Sequence, residues 1–522
     1  MTHPVAVGAR RRKRVLIVNA YLDHLRRVGP RPGSIPKAMA PAVLAGAFAR
    51  DRCEVICYNE QSSGPLHDSA LLGWPDMLVL SGLTNAFDRL LQLTAYARTK
   101  NPNVIVVAGG PGIRALSQYS RQFFEYACTG DVEEIVDVIR DAFGPEYVAE
   151  EMFPRFDLAD WMGPYGYVES SRNCNFHCSF CTLTADGYRY RPYPIDFIRR
   201  QILAIGKRRF VIFIDNNFYG NNRDFFLERM ELLRELYESG RLDGWGALVT
   251  NDLFMKRENL ELAKRAGCLA LFSGIESFDS TVLRGFRKLQ NAAMPQVEMI
   301  RRCFEAGIAF AYGVILDFAT RTLAELNAEI EYIVGNSEVP LPNYFSPVIP
   351  ILQTPYFHQC AQRDLLLPDT KLRDLDTTTL AIKPLDPIDD VAAFLRDLPT
   401  LKRYRRRVPG RTIAFVRRYR RYLSWLQVGI TMSGPAMLCT PNFSSGLFRP
   451  LRPGRRTYVT TTEPLDSLYT PAFRVERQYE THFAPTMITD ASGALREELQ
   501  ADLMPAAVQG AARDTDRVAC ER

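Results

Sequence analysis

Short apolar runs alternate with helix-forming segments in the first third of the chain. Strands separated by helices predict a parallel, doubly wound sheet over residues 14–143. The runs are VLIV, CEVICY, MLVLSG, VIVVAGG and EYACTG, which begin at Val15, Cys53, Met77, Val104 and Glu125. Open sheets of this kind bind ligands at the carboxyl ends of their strands. The loops at those ends give a candidate ligand site made of Thr84, Asn85, Gly109, Gly110, Gly130 and Asp131.

A second alternating series occupies residues 165–368. Its six runs are YVESS, FVIFID, GWGALVT, CLALFSGIES, IAFAYGVIL and YFSPVIP, which begin at Tyr167, Phe210, Gly244, Cys268, Ile308 and Tyr344. Six strand and helix units predict a partial (β/α)6 barrel with its chemistry on the carboxyl-end loops. Residues 144–164 are predicted as a linker because they contain three prolines. The remaining predicted parts are a basic leader (1–13), a mostly helical or irregular C-terminal region (369–504) and a flexible tail (505–522).

Composition and charge narrow the class of protein. The 522 residues are 47% hydrophobic, which suffices for several cores, and no apolar run approaches the ~20 residues of a membrane-spanning helix. Eleven cysteines without an export signal indicate a reducing compartment, so we expect a cytoplasmic protein. The net charge of +6 is local, because Lys402–Arg421 holds ten basic residues and no acidic one. A general nucleic-acid binder is therefore not expected.

The strongest chemical signal is the segment RNCNFHCSFCTL, which follows the first strand of the second series. It spaces Cys174, Cys178 and Cys181 as C-x3-C-x2-C, a pattern for which chance predicts on the order of 0.005 matches in this composition. Three thiolates on one loop can hold three corners of a [4Fe-4S] cubane and leave the fourth iron open. The alternatives are a structural zinc site, with His177 as the nearby fourth ligand, and buried core cysteines.

With this triplet the chain resembles the radical S-adenosylmethionine (SAM) superfamily over about Tyr165–Pro350. The resemblance implies a [4Fe-4S] cluster on the three cysteines, SAM bound to the open iron, and an electron donor such as flavodoxin or ferredoxin. It implies that Phe180 lies near the adenine of SAM. Asp215, Asn216 and Asn217 would lie near the SAM amino group, and Glu276 and Ser277 near its methionyl or ribose part. Each polar residue also has a structural interpretation, since Asp, Asn and Ser at strand ends commonly cap the next helix.

The N-terminal series, Arg14–Phe143, resembles the flavodoxin-like cobalamin-binding domain of one radical SAM subgroup, the class B type. GGPG at Gly109–Gly112 and TGDVEEI at Thr129–Ile135 resemble the ligand-facing loops of that domain. Glycine there permits close approach of the backbone to a ligand. Many cobalamin domains ligate cobalt through D-x-H-x-x-G, but Asp23 and His24 are adjacent in this chain. The spacing departs from that pattern, and His24 is interpreted as a loop residue.

A basic segment spans residues 401–428. Apolar residues recur in it at helical spacing and arginines occupy much of the remaining circumference. The apolar positions are Ile413, Val416, Tyr419, Tyr422, Leu423 and Leu426. One interpretation is a solvated arginine-rich face on a helix packed against the barrel. A second is contact with the inner face of a membrane, which would suit an enzyme with a lipid or other hydrophobic substrate. Nucleic-acid binding is a third.

The resemblance favours a cobalamin-dependent radical SAM C-methyltransferase that acts on an unactivated carbon. A lipid, a tetrapyrrole and a natural-product intermediate are all compatible small-molecule substrates. Two alternatives stay open: a cobalamin-associated oxidative cyclase or rearrangement enzyme, and a non-catalytic iron–sulfur or cobalamin sensor. Label transfer from methyl-labelled SAM separates the two kinds of enzyme, and formation of 5′-deoxyadenosine excludes the sensor.

Overall fold

Five parallel strands form the first sheet of the computed structural model, which describes residues 11–21, 38–208, 210–398, 401–439, 459–460 and 471–504. The strands are β1 (Lys13–Asn19), β2 (Cys53–Asn59), β3 (Met77–Ser81), β4 (Ile105–Gly109) and β5 (Tyr126–Cys128). Their order across the sheet is β2-β1-β3-β4-β5. This is a doubly wound order with its switch point between β1 and β3, so the predicted N-terminal sheet is confirmed.

Helices cover both faces of this sheet. They are α1 (Ala40–Ala45), α2 (Glu60–Ser63), α3 (Ser69–Gly73), α4 (Phe87–Lys100), α5 (Pro111–Ala115), α6 (Ser117–Ser120) and α7 (Ile135–Ala142). Alternate residues of β1 enter different cores: Leu16 and Val18 pack on one side, and Val15 and Ile17 on the other. Burial on both faces is the reason that the strand reads as a continuous apolar run.

Six parallel strands form the second sheet, in the order β13-β12-β11-β10-β9-β6. They are β6 (Tyr165–Val168), β9 (Phe210–Phe213), β10 (Trp245–Leu248), β11 (Cys268–Glu276), β12 (Ala309–Leu316) and β13 (Tyr344–Pro347), and a two-residue hairpin of β7 (Ser171–Arg172) and β8 (Arg191–Pro192) lies between the first two of these. Strands that neighbour one another in chain order, with helices between them, form an open half-barrel. The predicted partial (β/α)6 barrel is confirmed.

The helices of the half-barrel connect its strands and continue after the last one. They are α8 (Thr182–Asp186), α9 (Ile195–Ala204), α10 (Arg223–Glu238), α11 (Arg257–Arg265), α12 (Ser280–Gly285), α13 (Leu289–Ala292), α14 (Gln296–Glu305), α15 (Leu323–Gly335) and α16 (Pro355–Gln362). The start of α15 shows why these segments begin where they do. The Thr322 hydroxyl accepts a hydrogen bond from the Glu325 amide, and the Glu325 carboxylate accepts one from the Thr322 amide. This capping box satisfies two backbone amides at the start of the helix.

The C-terminal region is helical and irregular, as predicted. It contains α17 (Ile388–Asp397), α18 (Val408–Tyr419), α19 (Trp425–Cys439) and α20 (Glu497–Leu503), with the short strands β14 (Thr379–Leu380) and β15 (Val459–Thr460). On α20 the Asp502 carboxylate accepts hydrogen bonds from the amides of Gln118 and Tyr119, each at 2.9 Å. The end of the described chain is thereby fastened to the N-terminal sheet domain.

The basic segment is interrupted between α18 and α19. The buried face of α18 consists of Val408, Arg411, Phe415 and Tyr419, whereas Ile413 is 52% exposed. Arg411 is accommodated in this face because its guanidinium donates to the carbonyl of Asn336 at 3.0 Å. The apolar stripe predicted through Ile413 is therefore wrong, since backbone acceptors on the neighbouring segment allow an arginine to be buried instead.

Some predictions fall on parts of the chain that are not described. Asp23, His24, residues 1–10 of the basic leader and the tail 505–522 lie outside the described residues. Among the helices that are described, none combines the length and apolar character that crossing a bilayer requires.

Candidate active site

The cysteine triplet lies on a loop that begins beside the end of β6 and is closed at its base by the β7–β8 hairpin. The loop is anchored at Ser179, whose amide donates to the carbonyl of Phe286 and whose carbonyl accepts from the amide of Tyr356, both at 2.9 Å. Thr184 adds a hydroxyl bond of 2.8 Å to the carbonyl of Cys178. The backbone around the central cysteine is thus held by two distant parts of the half-barrel.

The three thiols are close enough to influence one another electrostatically. The pKa of Cys181 is raised to about 11, chiefly by burial, and the Cys178 and Cys174 thiols contribute to the rise. Burial also raises the pKa of Cys174, again with a contribution from Cys178. A thiol with a raised pKa ionises on gaining a metal partner, which then stabilises the thiolate. The three thiols therefore lie on one short loop and within electrostatic reach of one another.

This donor set fits an iron–sulfur cluster. Three cysteine sulfurs from one loop match a cubane with three protein-bound corners. Across the described parts of the chain, no three His, Cys, Asp or Glu side chains are arranged around a single metal ion. The residues that would hold the cluster are Cys174, Cys178 and Cys181, as the sequence predicts.

Residues 286–291 pack against the cysteine loop, and the sequence did not predict this contact. The space that the loop and this segment enclose is called the cysteine pocket below. The ring of Phe286 contacts Phe180 at a centroid distance of 5.2 Å, and the Gln290 amide donates to the Cys178 sulfur at 3.6 Å. Lys288 is buried and influences the thiols electrostatically. Its ammonium lies 5.8 Å from the centre of the Phe180 ring. Phe180 therefore lies beside a buried cation that also acts on the cysteines.

Glu276 pairs with Lys288 inside this pocket. The Lys288 ammonium donates to the Glu276 carboxylate at 2.6 Å, and both side chains are 9% exposed. The Coulombic attraction of Glu276 raises the pKa of Lys288 against the opposing effect of burial, which is the larger single influence. Glu276 also has a φ of 62°, a left-handed conformation that costs free energy for a residue other than glycine. The end of β11 is thus bent so that its carboxylate reaches the pocket.

Ser277 points away from that pair. Its hydroxyl donates to Oε1 of Glu329 at 2.6 Å. The Phe278 amide donates to the same Glu329 oxygen, also at 2.6 Å. Glu329 is also ion-paired with Arg321. A separate hollow of about 710 Å³ lies beside this network, between α12, α15 and α16. The structure therefore groups Ser277 with the outer helices and Glu276 with the cysteines.

Asp215 lies beneath the cysteine loop and is completely buried. Its carboxylate accepts from the amides of Ser170 at 2.6 Å and Ser171 at 2.9 Å, and from the Ser170 hydroxyl. The Arg229 guanidinium lies 3.7 Å away and is equally buried. Burial raises the pKa of Asp215, and Arg229 is the largest of the opposing influences. In this structure the carboxylate organises the backbone that leads into the cysteine loop.

The two asparagines after Asp215 differ from each other. Asn216 is exposed, whereas Asn217 is buried and donates to the Asn175 side chain at 2.7 Å. Asn175 lies between the first two cysteines, so Asn217 braces the loop. Among these neighbouring residues, Asn216 is the one whose side chain is accessible to a ligand. The predicted contacts of Asp215 to Asn217 with SAM stay a prediction.

At the N-terminal sheet, the predicted ligand loops meet at the carboxyl edge of β3, β4 and β5. A Cβ built on Gly110, whose φ is 122°, would overlap the carbonyl of Gly82, so glycine is required there by the close approach of two loops. Gly109 ends β4 beside it. Thr84 is buried and Asn85 half-buried, and the neighbouring Leu83 is 68% exposed. This edge therefore presents an apolar side chain that the sequence reading did not single out.

The carboxyl edge of the first sheet faces the cysteine loop directly. Arg114 on α5 donates to the carbonyls of Thr129 at 2.9 Å and Gly130 at 2.8 Å, and it pairs with Asp186 of α8 at 2.5 Å. Asp131 accepts from Arg172, just before the cysteines, at 2.8 Å. The two sites predicted from different halves of the sequence thus share one interface.

Comparison with known proteins agrees with this architecture. Residues 168–330 match the model of the Radical SAM superfamily. The chain is 25% identical over 325 residues to the hopanoid C-2 methylase of Rhodopseudomonas palustris (strain TIE-1), a match that spans 57% of this chain and 60% of that protein. It is 25% identical over 291 residues to the bacteriochlorophyllide d C-12(1)-methyltransferase of Chlorobaculum tepidum, spanning 51% and 62%. The chain thus spans about three fifths of the length of these relatives.

Two solved structures resemble the fold of the chain. The cobalamin-dependent SAM radical enzyme OxsB, with aqua-cobalamin and SAM bound, matches with a TM-score of 0.54 and 14% identity over 76% of this chain and 69% of its own. The radical SAM methyltransferase TsrM from Kitasatospora setae, with cobalamin and a [4Fe-4S] cluster bound, matches with a TM-score of 0.50 and 15% identity over 68% and 75%. At this identity the likeness concerns the fold.

Proposed function

We propose that the chain is a cobalamin-dependent radical SAM C-methyltransferase, because its residues 168–330 match the model of the Radical SAM superfamily. The observation that carries the proposal is the shared interface between the cysteine loop and the carboxyl edge of the N-terminal sheet. A methyl donor held at one side of that interface would meet a substrate held at the other. The names of the two curated relatives support methyl transfer as the reaction.

The residues of the chain supply positions for each group. Cys174, Cys178 and Cys181 would hold a [4Fe-4S] cluster, and SAM would lie beside Phe180 and Glu276 at the mouth of the half-barrel. Cobalamin would lie against the loops of Thr84, Asn85, Gly109, Gly110, Gly130 and Asp131. When bound, the cluster and SAM supply a hydrogen-abstracting adenosyl radical and cobalamin supplies the methyl group. The substrate would be a lipid, a tetrapyrrole or a natural-product intermediate.

The protein's own part is to orient these groups and to exclude water. Phe180 and Phe286 cover the cysteine side of the pocket with apolar surface. Gln290 donates to the Cys178 sulfur, which stabilises negative charge on that sulfur. The Glu276–Lys288 pair is preorganised at 2.6 Å, so charged groups of a bound ligand would meet fixed partners instead of mobile water.

Metal counts and isotope transfer test the proposal. The full chain would be purified without oxygen from a cobalamin-fed host and reduced with flavodoxin or ferredoxin. We expect four irons and one cobalt per chain, formation of 5′-deoxyadenosine, and transfer of label from methyl-labelled SAM to the product. Replacement of all three site cysteines by alanine should remove the iron, whereas Cys53→Ala, in the N-terminal core, should retain it.

Each result separates one alternative from the proposal. Cleavage of SAM without label in the product would favour a cyclase or a rearrangement enzyme. Iron and cobalt without any 5′-deoxyadenosine would favour a sensor. Retention of iron by the triple cysteine variant would contradict the metal site itself.

For the basic segment 401–428 we propose contact with an anionic lipid surface. Trp425 is 78% exposed and Leu426 45%, and the exposed arginines beside them include Arg417, Arg420 and Arg421. Exposed tryptophan and leucine next to arginine are the residues that anchor proteins at a membrane interface. The patch lies at the amino ends of the barrel strands, because Gln427 donates to the carbonyl of Leu269 at 2.9 Å. Docking there would leave the carboxyl-end site open.

Sedimentation with vesicles tests this contact. We expect binding to phosphatidylglycerol vesicles, little binding to phosphatidylcholine vesicles, and release by salt, since about 1 kcal/mol per arginine is electrostatic. Trp425→Ser combined with Arg420→Glu should abolish binding. Leu203→Ser is the matched control, because Leu203 is a 49% exposed leucine on α9. Equal binding by all three proteins would contradict the proposed contact.

A further inference from the structure

One face of the half-barrel sheet is directed at the cysteines, and glycines identify which face it is. A Cβ built on Gly274 would lie 2.9 Å from the ammonium of Lys288 and would overlap Glu276. Lys288 in turn influences the three thiols. Residues at alternate positions of the same strands therefore share this concave face with Gly274. Partly accessible residues on this face include Ile212, Leu248, Phe272, Ala311 and Ile315, with Ile214 directly after β9.

The concave face contains an aromatic platform. Phe272 of β11 and Tyr344 of β13 are stacked at a centroid distance of 6.1 Å and an interplanar angle of 22°. They lie on opposite sides of β12, and a Cβ on Gly313 of that strand would overlap the Tyr344 ring. Glycine at this position therefore makes room for the ring to lie across the sheet. Tyr344 is 44% exposed, although burial among neighbouring atoms raises its pKa. The ring is thus partly accessible on the concave face.

This face offers little to a charged ligand. As bounded in the structure, strands β9 to β13 contain no Lys, Arg, His or Asp, and Glu276 is their one charged residue. Glu276 is paired with Lys288 at 2.6 Å, and the proposed function assigns that pair to SAM. A carboxylate or phosphate placed over the platform would lose its hydration without gaining an ionic partner from these strands. An apolar ring system would instead replace water on six aliphatic or aromatic side chains.

We infer that the concave face binds an uncharged, polycyclic hydrocarbon skeleton, which the Phe272–Tyr344 platform supports beside the cysteine pocket. The inference rests on the proposed function, because it assigns the substrate class of the same site. It narrows the lipid, tetrapyrrole and natural-product candidates to molecules whose reacting end is hydrocarbon. Specificity would come from the shape of the concave face, where Gly313 leaves room for the Tyr344 ring.

Direct binding tests the inference independently of catalysis. The probe is a radiolabelled pentacyclic triterpene delivered from methyl-β-cyclodextrin to the anaerobic, cluster-loaded full chain, followed by equilibrium dialysis. The comparison probe is a dicarboxylated porphyrin of similar ring area. We expect saturable binding of the triterpene and a loss of affinity of about tenfold in Tyr344→Ser, since an aromatic contact contributes both buried area and stacking. Gly313→Val should weaken binding too, because the added side chain displaces the ring.

A matched tyrosine provides the control. Tyr332 is 50% exposed and lies on α15, where its ring contacts Phe278 outside the concave face. Tyr332→Ser should bind the triterpene as the unmodified chain does. Equal losses in the two tyrosine variants, or tighter binding of the porphyrin, would overturn the inference. Metal counts and SAM cleavage on the same sample keep the two proposals distinct: SAM cleavage without triterpene binding contradicts only the substrate class, and triterpene binding without SAM cleavage contradicts only the proposed reaction.

Discussion

Asp215 organises the backbone that leads into the cysteine loop. Its carboxylate binds the amides of Ser170 and Ser171 and pairs with the buried Arg229. In Asp215→Ala the guanidinium would remain buried without its counter-ion. We expect the free energy of unfolding to fall by about 3–5 kcal/mol. Urea unfolding of the purified protein in the absence of SAM measures this loss.

An exposed aspartate provides the comparison. Asp243 pairs with Lys207 at 3.2 Å on the surface of the same domain, and such pairs contribute about 0–1 kcal/mol. Asp243→Ala should therefore unfold almost as the unmodified chain does. If Asp215→Ala kept full stability and only weakened SAM binding, the positioning role would be contradicted and the direct contact predicted from the sequence would be favoured.

Residue by residue, the sequence predicted those functional groups that are close together in the chain. The cysteines lie within eight positions, and their spacing alone indicates a shared ligand. Lys288 and Gln290 were missed because they reach the cysteines from more than 100 positions away. A buried lysine after a strand has no local signature, since its partner Glu276 becomes visible only once β11 and α13 are placed together.

Among the elements, strands buried on both faces were the most predictable. Runs such as VLIV and MLVLS have no polar alternation and became β1 and β3. The basic segment was less predictable, because Arg411 is buried against backbone carbonyls while Ile413 faces solvent. Hydrophobic periodicity assumes that apolar residues define the buried face, and a satisfied guanidinium breaks that assumption.

The short helical segment Arg477–Phe483 packs on α4 of the N-terminal domain and contains a histidine with a pH-dependent contribution to stability. His482 lies between the rings of Phe123 and Tyr479. Burial lowers its pKa from 6.5, and the nearby Arg98 lowers it further. Protonation therefore favours the unfolded chain. The contribution of His482 is fully present above the unfolded pKa of about 6.5 and is lost as the pH falls below it.

Replacement of His482 should make the Tm of the protein less dependent on pH. In His482→Phe we expect the Tm to decrease less steeply between pH 7 and pH 5 than in the unmodified chain, because one buried group no longer takes up a proton on unfolding. Differential scanning calorimetry across that range measures the slope. Superimposable profiles for the two proteins would show that His482 does not contribute to the pH dependence.

For the whole molecule, the sequence predicted the two domains but not how they meet. Each domain has its own strand and helix period, which local patterns reveal. The domains meet through single side-chain contacts such as that of Arg172 with Asp131. The Asp502 carboxylate of α20 adds contacts to α6, which lies more than 380 positions earlier in the chain. These contacts depend on the relative placement of complete domains, so no pattern within one segment predicts them. That placement brings the loop after β5 and the cysteine loop into contact.

Arg114 is the residue through which this placement can be tested. It holds the Thr129 and Gly130 carbonyls on the side of the N-terminal sheet and Asp186 on the side of the cysteine loop, and its guanidinium lies 5.2 Å from the centre of the Tyr188 ring. In Arg114→Ala the loop after β5 would lose the guanidinium that donates to its carbonyls. The interface between the two domains would lose the ion pair with Asp186. We expect cobalamin affinity to fall about tenfold, which corresponds to roughly 1.4 kcal/mol, while the three cysteines still retain iron.

Cobalt and iron measured on the same anaerobic sample distinguish this coupling from general damage. Arg140→Ala is the matched control, because Arg140 forms an exposed pair with Asp137 on α7 of the same domain, away from the cysteine loop. The control should keep both metals. Loss of iron and cobalt together in Arg114→Ala would indicate that the variant disturbs the fold of the cysteine loop, and unchanged cobalt would contradict the proposed cobalamin position. Selective loss of cobalt is the result expected if the edge of the N-terminal sheet binds cobalamin and Arg114 holds that edge in register with the cysteines.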